Sequence, residues 1–213
     1  FLQLCAEDNF RVADCTTPAQ YFHLLRRQAK LEDRRPLIVF TPKSLLRNPR
    51  ATSAFDELAA GTFRPVLADE AVADRRDRVT RLVLCTGKVY YDLLEARRAD
   101  ERDDVAVVRV EQLYPFPDEE YEAQLKRYPN ANDVVWCQEE PMNQGAWYQI
   151  RHRLQAGLAP RHELRYAGRE HAASTAAGYF KLHVAEQKAL IEQALNGNSQ
   201  KKNPAKKTGT EKA

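Results

Sequence analysis

The chain has 213 residues, of which 43% are hydrophobic and 30% are charged, a composition typical of globular proteins that bury a core. Its net charge is +3, but residues 197–213 supply +4, so residues 1–196 carry −1 and offer no basic surface for nucleic acid. No apolar run approaches the roughly 20 residues that span a bilayer, which argues against a membrane protein. The cysteines are widely spaced, which favours buried thiols over disulfides or a metal site: Cys5, Cys15, Cys85 and Cys137.

The first part of the chain predicts short alternating elements. Residues 1–7 have the pattern of an amphipathic helix that lacks a start signal, so we expect the chain to be a fragment of a larger protein. A strand at 10–13 precedes a helix over 18–31, for which Thr17 supplies the N-cap and Pro18 the first residue. The apolar run 37–40 predicts a strand covered on both faces.

The rest of the chain predicts a longer alternation. Residues 68–78 are so charged that we expect an exposed linker, and residues 113–117 predict a proline-stiffened loop. The predicted strands are 82–85, 105–110, 134–137 and 162–166. The predicted helices are 88–98, 118–128, 146–155 and 184–195. Asp118 is the predicted N-cap of the second of these helices, and Gly197 is predicted to end the last one. This alternation indicates an α/β fold with a mostly parallel sheet and flanking helices. Residues 198–213 are expected to be disordered.

The most informative segment is Val134–Trp147, which reads VVWCQEEPMNQGAW. An apolar strand delivers Glu139 and Glu140 at its carboxyl end, where α/β sheets build ligand and subunit surfaces, and Pro141 stops the strand. Neighbouring side chains on an extended segment point to opposite faces. We therefore expect one glutamate to anchor the following turn and the other to lie at a subunit surface, in preference to an acid–base pair.

This segment and others in the same order resemble the carboxyl-terminal part of the decarboxylating (first) component of 2-oxoglutarate dehydrogenase, a thiamine diphosphate enzyme. The resemblance covers roughly residues 1–195. The other sequence segments that carry the resemblance are FLQLCAE from Phe1, TPAQ from Thr17, HLLRR from His23, RPLIVFTPKSLLR from Arg35, GKVYYDLL from Gly87, VRVEQLYP from Val108, RYAGR from Arg165, and GY at Gly178.

The resemblance implies a domain organisation. Residues 1–65 would be the end of a pyrimidine-binding α/β domain and residues 66–78 a linker. Residues 79–197 would form a transketolase-like carboxyl-terminal domain, and residues 198–213 a disordered basic tail.

The resemblance also implies an activity, namely oxidative decarboxylation of 2-oxoglutarate in the citric acid cycle with transfer of the succinyl group to lipoyl groups. The implied partners are a second copy in a homodimer and the lipoyl-bearing succinyltransferase component. The family's cofactor motif and catalytic residues are expected upstream of Phe1, so no catalytic residue or metal ligand is assigned here. Thiamine diphosphate and magnesium would be bound only by the full-length enzyme, located in the bacterial cytoplasm in preference to the mitochondrial matrix.

Two groups of residues are candidate binding positions. The first would line an interface or the active-site entrance: Glu139, Glu140, Asn143, Gln144, Trp147 and His171. The second, Arg27 and Gln112, matches positions at which some relatives bind adenine nucleotides or acetyl-CoA as effectors. Glu119 and Glu120 stand where acetyl-CoA-binding relatives have basic residues and would repel a phosphate. An adenine nucleotide is thus the favoured effector, although a solvated basic helix face remains the preferred interpretation of this region.

Two alternatives stay open. One is a non-catalytic binding or regulatory module that keeps the same scaffold. The other is a relative that acts on 2-oxoadipate, because upstream residues make the choice of substrate.

Overall fold

The computed structural model describes residues 1–197, in which two β-sheets are flanked by α-helices. The strands are β1 (Arg11–Asp14), β2 (Leu37–Phe40), β3 (Val66–Leu67), β4 (Arg81–Cys85), β5 (Val105–Val110), β6 (Gln112–Tyr114), β7 (Asp133–Pro141) and β8 (Glu163–Arg169). The helices are α1 (Pro18–Lys30), α2 (Phe55–Ala60), α3 (Val89–Ala99), α4 (Asp118–Arg127), α5 (Trp147–Ala156) and α6 (Phe180–Asn196). The predicted disorder of residues 198–213 lies outside the described residues.

The larger sheet has the strand order β3-β5-β4-β7-β8. Its strands β5, β4, β7 and β8 are mutually parallel, and only the short β3 runs antiparallel. The smaller sheet has the order β2-β1-β6, with β2 parallel and β6 antiparallel to β1. The prediction of a mostly parallel α/β architecture is confirmed. Because β5 ends at Val110 and β6 begins at Gln112, a single residue, Glu111, joins the two sheets.

Both faces of the larger sheet are buried, which explains why its strands are continuous apolar runs. Along β4, Leu82 and Leu84 point to the core that includes α4 and α5, whereas Val83 and Cys85 point to the core that includes α3 and α6. Trp136 on β7 is fully buried in the first of these cores. The parallel strands therefore bring all their carboxyl ends to one edge, between the two helical layers.

The start of α1 and the end of α6 follow the predicted signals. The hydroxyl of Thr17 accepts a hydrogen bond from the Gln20 N–H at 3.3 Å, and Pro18 is the first helical residue. Gly197 ends α6 with a φ of 77°, a left-handed conformation that glycine adopts without steric cost. Within residues 1–197, no helix combines the length and the hydropathy needed to cross a bilayer.

The predicted helix over residues 1–7 is wrong, because only a 3-10 turn forms at Leu2–Leu4. Glu7 and Asp8 have φ values of 53° and 55°, which a right-handed helix excludes. The side chain of Asn9 stabilises this reversal by donating to the Leu4 carbonyl at 2.8 Å and accepting from the Ala6 N–H at 3.2 Å.

Two burial predictions are also wrong. The strand β2 is only partly covered, because it lies at the edge of the smaller sheet with β1 as its neighbour. The segment 68–78 is not uniformly exposed, since Asp69 and Val72 are 5% and 2% exposed. Charge density alone could not reveal that Asp69 has a buried partner in α3.

Several element boundaries differ from the prediction. Pro117, not Asp118, occupies the cap position of α4, and the Asp118 carboxylate pairs instead with Arg153 at 3.4 Å. The predicted loop at 113–117 begins as the strand β6, because Gln112–Tyr114 pair with β1. The strand β7 continues through the glutamates to Pro141, and α6 begins at Phe180.

Candidate functional site

The carboxyl ends of β4 and β7 meet at an ion pair. Lys88, just after β4, pairs with Oε1 of Glu139 near the end of β7. Gln187 on α6 donates its Nε2 to the same carboxylate oxygen at 2.9 Å and to Asp92 at 2.8 Å. Glu139 is thus neutralised and fixed between α3 and α6, an arrangement suited to a structural or interface role.

Arg169, at the end of β8, extends this network to the backbone of β7. Its guanidinium donates to the Glu139 carbonyl, to Glu186 at 3.0 Å and to Gln187 at 3.0 Å, and it lies 3.2 Å from Nδ1 of His183. Its side chain is only 10% exposed. Charge-assisted hydrogen bonds of this kind hold α6 against the carboxyl edge of the sheet.

The turn after β7 is anchored by Gln138, which the sequence analysis did not single out. Its Oε1 accepts from Trp136 Nε1 at 3.0 Å and from the N–H groups of Ala146 and Trp147 at 3.2 and 3.0 Å. Its Nε2 donates to the carbonyls of Glu140, Pro141 and Gln144. The expectation that a glutamate side chain anchors this turn is therefore wrong, because a buried amide can both donate and accept there whereas a carboxylate only accepts.

Glu140 lies on the opposite side of β7 from Glu139, next to the turn. Its Cβ is 3.0 Å from the place where a Cβ on Gly145 would lie, and its carboxylate forms no ion pair with residues 1–197. Although the side chain reaches solvent, partial burial raises its pKa, and the charge of Glu139 acts in the same direction. The two adjacent glutamates thus have different surroundings, as their alternation along an extended strand predicts.

The other entrance candidates lie together in two facing loops. Asn143 donates to the Ala172 carbonyl and accepts from the Ala172 N–H, both at 3.0 Å. Gln144 donates to the same carbonyl at 3.0 Å and to that of Ser174 at 3.2 Å. The structure thereby ties the turn before α5 to the loop that follows β8.

Aromatic residues flank these loops. The ring of Trp147 packs 5.2 Å from that of Tyr166. Nε2 of the exposed His171 lies 3.3 Å from the hydroxyl of Tyr148. We call the segments 142–146 and 170–178 the edge loops.

The candidate effector pair forms a separate contact near the smaller sheet. The guanidinium of Arg27 donates to Gln112 Oε1 at 2.5 Å and stacks 4.3 Å from the centroid of Phe63. Gln112 in turn donates to the Pro115 carbonyl at 2.8 Å. Burial lowers the pKa of Arg27, and the charge of Arg11 lowers it further. The two residues are therefore brought together, although each is already hydrogen-bonded within the fold.

Sequence reasoning also missed two buried acids at the junction of the sheets, Asp14 and Glu111, which are 8% and 0% exposed. The available signal was an acid placed at the end of an apolar strand, and another between two apolar strands with no turn residues around it. Buried carboxylates are uncommon without a partner, so such positions indicate a specific local network.

The residues at the start of α3 do not fit a diphosphate group. The carboxyl of Asp14 occupies the space beside Gly87, and Lys88 is already paired with Glu139, so this helix terminus offers a diphosphate neither room nor a free cation. Within residues 1–197, no group of three or more His, Cys, Asp or Glu side chains is arranged to hold a metal ion.

Comparison with solved structures supports the fold. A chain described as split gene transketolase, inactive beta4 tetramer, superposes with a TM-score of 0.57 at 15% identity, covering 88% of this chain and 57% of that one. At this identity the likeness concerns the fold alone, and it agrees with the transketolase-like architecture predicted from the sequence.

Sequence relatives are much closer. The 2-oxoglutarate dehydrogenase E1 component of Haemophilus influenzae is 53% identical over 196 residues, which are 92% of this chain and 21% of the relative. The same component of Cupriavidus necator is 50% identical over 195 residues, 92% of this chain and 20% of the relative. The chain thus spans about a fifth of the length of these curated relatives.

Two family models match the chain in succession. The transketolase pyrimidine-binding domain matches residues 1–49, and the model described as 2-oxoglutarate dehydrogenase C-terminal matches residues 52–195. The second match alone covers more than half of the chain, and it includes the whole carboxyl edge with the edge loops. The chain therefore belongs to the 2-oxoglutarate dehydrogenase C-terminal family.

Proposed function

We propose that this chain is the carboxyl-terminal part of a decarboxylating component that oxidatively decarboxylates 2-oxoglutarate and passes the succinyl group to a lipoyl group. The observation that carries this proposal is the identity of 53% with the Haemophilus influenzae component over 92% of the chain. The order of the two family models gives further support, because a pyrimidine-binding segment precedes the carboxyl-terminal segment. The domain boundaries at residues 65 and 78 stay predictions.

The full-length enzyme would use thiamine diphosphate with magnesium, and the cofactor would supply the nucleophilic carbon and the electron sink for decarboxylation. Because the carboxyl edge described above does not fit a diphosphate, we assign this chain a different task. It would complete the fold, pack a homodimer and shape the entrance used by the lipoyl arm of the succinyltransferase component.

Exposed apolar side chains support the packing role. Among the described residues 1–197, four are about 80% exposed or more: Leu46 at 89%, Phe180 at 80%, and Phe55 and Tyr179 at 79%. Large exposed apolar surfaces are typical of protein–protein interfaces. Tyr179 and Phe180 directly follow the second edge loop, so a partner that covered them would also lie beside the proposed entrance.

The entrance role predicts a selective kinetic effect. In the full-length enzyme, the double variant Asn143→Ala/Gln144→Ala removes the hydrogen bonds that join the edge loops. We expect kcat/KM for the lipoyl domain to fall about tenfold, while decarboxylation with a small artificial electron acceptor is unchanged. The exposed neighbour Gln149→Ala is the control. An equal loss with both acceptors, or no loss with either, contradicts the entrance role.

The effector proposal concerns an adenine nucleotide at Arg27 and Gln112. The guanidinium of Arg27 supports it, because this charged group is only partly buried and is held in place by stacking on Phe63 and by its hydrogen bond to Gln112. We expect calorimetric titration of AMP into the full-length enzyme to show binding that Arg27→Ala weakens at least about tenfold. Arg26→Ala, one exposed position earlier on α1, should bind as the parent does. Equal binding by both variants contradicts this site.

A cytoplasmic location in a bacterium is part of the same proposal, and the bacterial origin of the relatives supports it. The 2-oxoadipate alternative predicts turnover of that longer substrate in place of 2-oxoglutarate. The binding-module alternative predicts turnover of neither.

A further inference from the structure

Two buried carboxyl groups meet where the two sheets join. The chain passes from β5 into β6 through Glu111, and the Asp14 N–H at the end of β1 donates to the Glu111 carbonyl at 2.9 Å. Both residues are more than nine-tenths buried. Two carboxyl groups in one dry junction cannot both ionise unless each has its own compensating partners.

Glu111 has such partners. Thr16 donates its backbone N–H at 2.9 Å, and also its hydroxyl, to the Glu111 carboxylate. Arg109 donates to the Thr16 hydroxyl oxygen at 2.8 Å and stacks 4.2 Å from the centroid of Tyr90. Burial raises the pKa of Glu111, but the positive charge of Arg109 and the hydrogen bonds from Thr16 act against burial and favour the ionised form. Glu111 is therefore the member of the pair whose surroundings stabilise an ionised carboxylate.

Asp14 lacks these partners. Its Oδ1 is buried and makes no hydrogen bond to any group within residues 1–197. Its Oδ2 packs on the β4–α3 turn so closely that a Cβ on Gly87 would collide with it. Gly87 also has a φ of 69°, so both the close contact with Asp14 and the backbone conformation require glycine at this position. A charge on Asp14 would thus be desolvated by the turn and repelled by Glu111, and separation of the turn from β1 would relieve both costs.

We propose that Asp14 and Glu111 form a protonation-dependent latch, in which neutral Asp14 keeps the sheets docked and ionised Asp14 releases the β1–α1 turn from the β4–α3 turn. The inference does not depend on the proposed reaction. The other charged or titratable groups around the latch are Cys15, Arg27, Cys85, Lys88, Tyr90, Tyr91, Arg109, Glu139 and Glu140. The nearest cations are already engaged, because Lys88 pairs with Glu139 and Arg109 bonds to Thr16.

The direction of the pH effect follows from the two states of Asp14. Burial, and after it the charges of Glu111, Glu140 and Glu139 in that order, together raise the pKa of Asp14 from 3.8 to about 8. Between these two values the hydrated, open carboxyl has lost its proton while the docked carboxyl keeps it. Rising pH therefore favours opening from about pH 4 to about pH 8, above which the effect is complete.

Hydrogen exchange on the full-length protein tests the latch. Peptides over residues 14–20 and 85–91 are followed at about pH 6 and about pH 9, and the rates are corrected for the intrinsic effect of pH. We expect the opening constant of the parent protein to rise about tenfold or more over this interval, since one pKa unit is a tenfold change. Asp14→Asn, which cannot ionise, should show no such rise. Asp8→Asn, at an exposed position, should behave as the parent does.

Two results overturn the latch. One is a parent protein whose corrected opening constant is the same at both pH values. The other is an Asp14→Asn protein whose opening constant rises as much as that of the parent. If Asp14→Asn does not fold, Asp14→Val replaces it, because valine suits a strand end, carries no charge and makes the same comparison.

Discussion

Replacing Asp69 with alanine should lower the local unfolding free energy around β5 by about 3–5 kcal/mol. Asp69 and Arg97 form an ion pair in which each side chain is only 4% exposed. Asp69 also accepts from the N–H groups of Val107 at 2.8 Å and Ala71 at 3.1 Å. The substitution would leave the Arg97 charge buried without its counter-ion and would free two backbone donors, which is why the expected loss is large.

The measurement is hydrogen exchange of peptides over residues 105–110 in the full-length Asp69→Ala protein. The control is the Asp103→Ala variant, measured in the same way. Asp103 pairs with Arg78 at 3.5 Å, and their side chains are 50% and 72% exposed. Such a surface pair contributes less than about 1 kcal/mol. If the two variants lose similar protection, Asp69 is not the structural centre that its contacts indicate.

Replacing Gln138 with methionine, which has a similar length, should destabilise the turn before α5 by about 3 kcal/mol or more. The substitution removes the acceptor for the Trp136 indole and for the N–H groups of Ala146 and Trp147. It also removes the donor to the carbonyl of Gln144 at 2.8 Å. Gln138 is only 1% exposed, so water cannot replace these partners without opening the turn.

The same exchange experiment over residues 138–150 checks this result, with Gln149→Met as the control at an exposed position on α5. The control should change the local free energy by less than about 0.5 kcal/mol. A Gln138→Met protein as protected as the control would show that the backbone alone fixes the turn.

The fold was largely predictable because its main signals are local. The apolar runs of β4, β5 and β7 are buried on both faces and carry no competing polar pattern. Thr17 and Gly197 satisfy helix ends through contacts within a few residues of themselves. These features need no knowledge of the rest of the molecule.

The features that the sequence did not predict depend on partners that lie far away along the chain. Asp69 is buried because Arg97 lies 28 residues further along the chain, and a charged window cannot reveal such a pair. In the segment Gln138-Glu139-Glu140, the sequence pattern indicated the two carboxylates as the important groups. The turn before α5 is held instead by the amide of Gln138, which lies between the buried strand and the turn. Asp14 is buried against Gly87 and lies near Glu111, and both residues come from distant parts of the chain.

The most direct test of the central claim is turnover of 2-oxoglutarate with thiamine diphosphate and magnesium, measured on the full-length protein beside residues 1–213 alone. We expect carbon dioxide release and succinyl transfer to a lipoyl domain only with the full-length protein, because this chain spans about a fifth of the relatives and Lys88 at its carboxyl edge is already paired with Glu139. Decarboxylation by residues 1–213 alone, or a full-length protein that turns over 2-oxoadipate but not 2-oxoglutarate, would contradict the account.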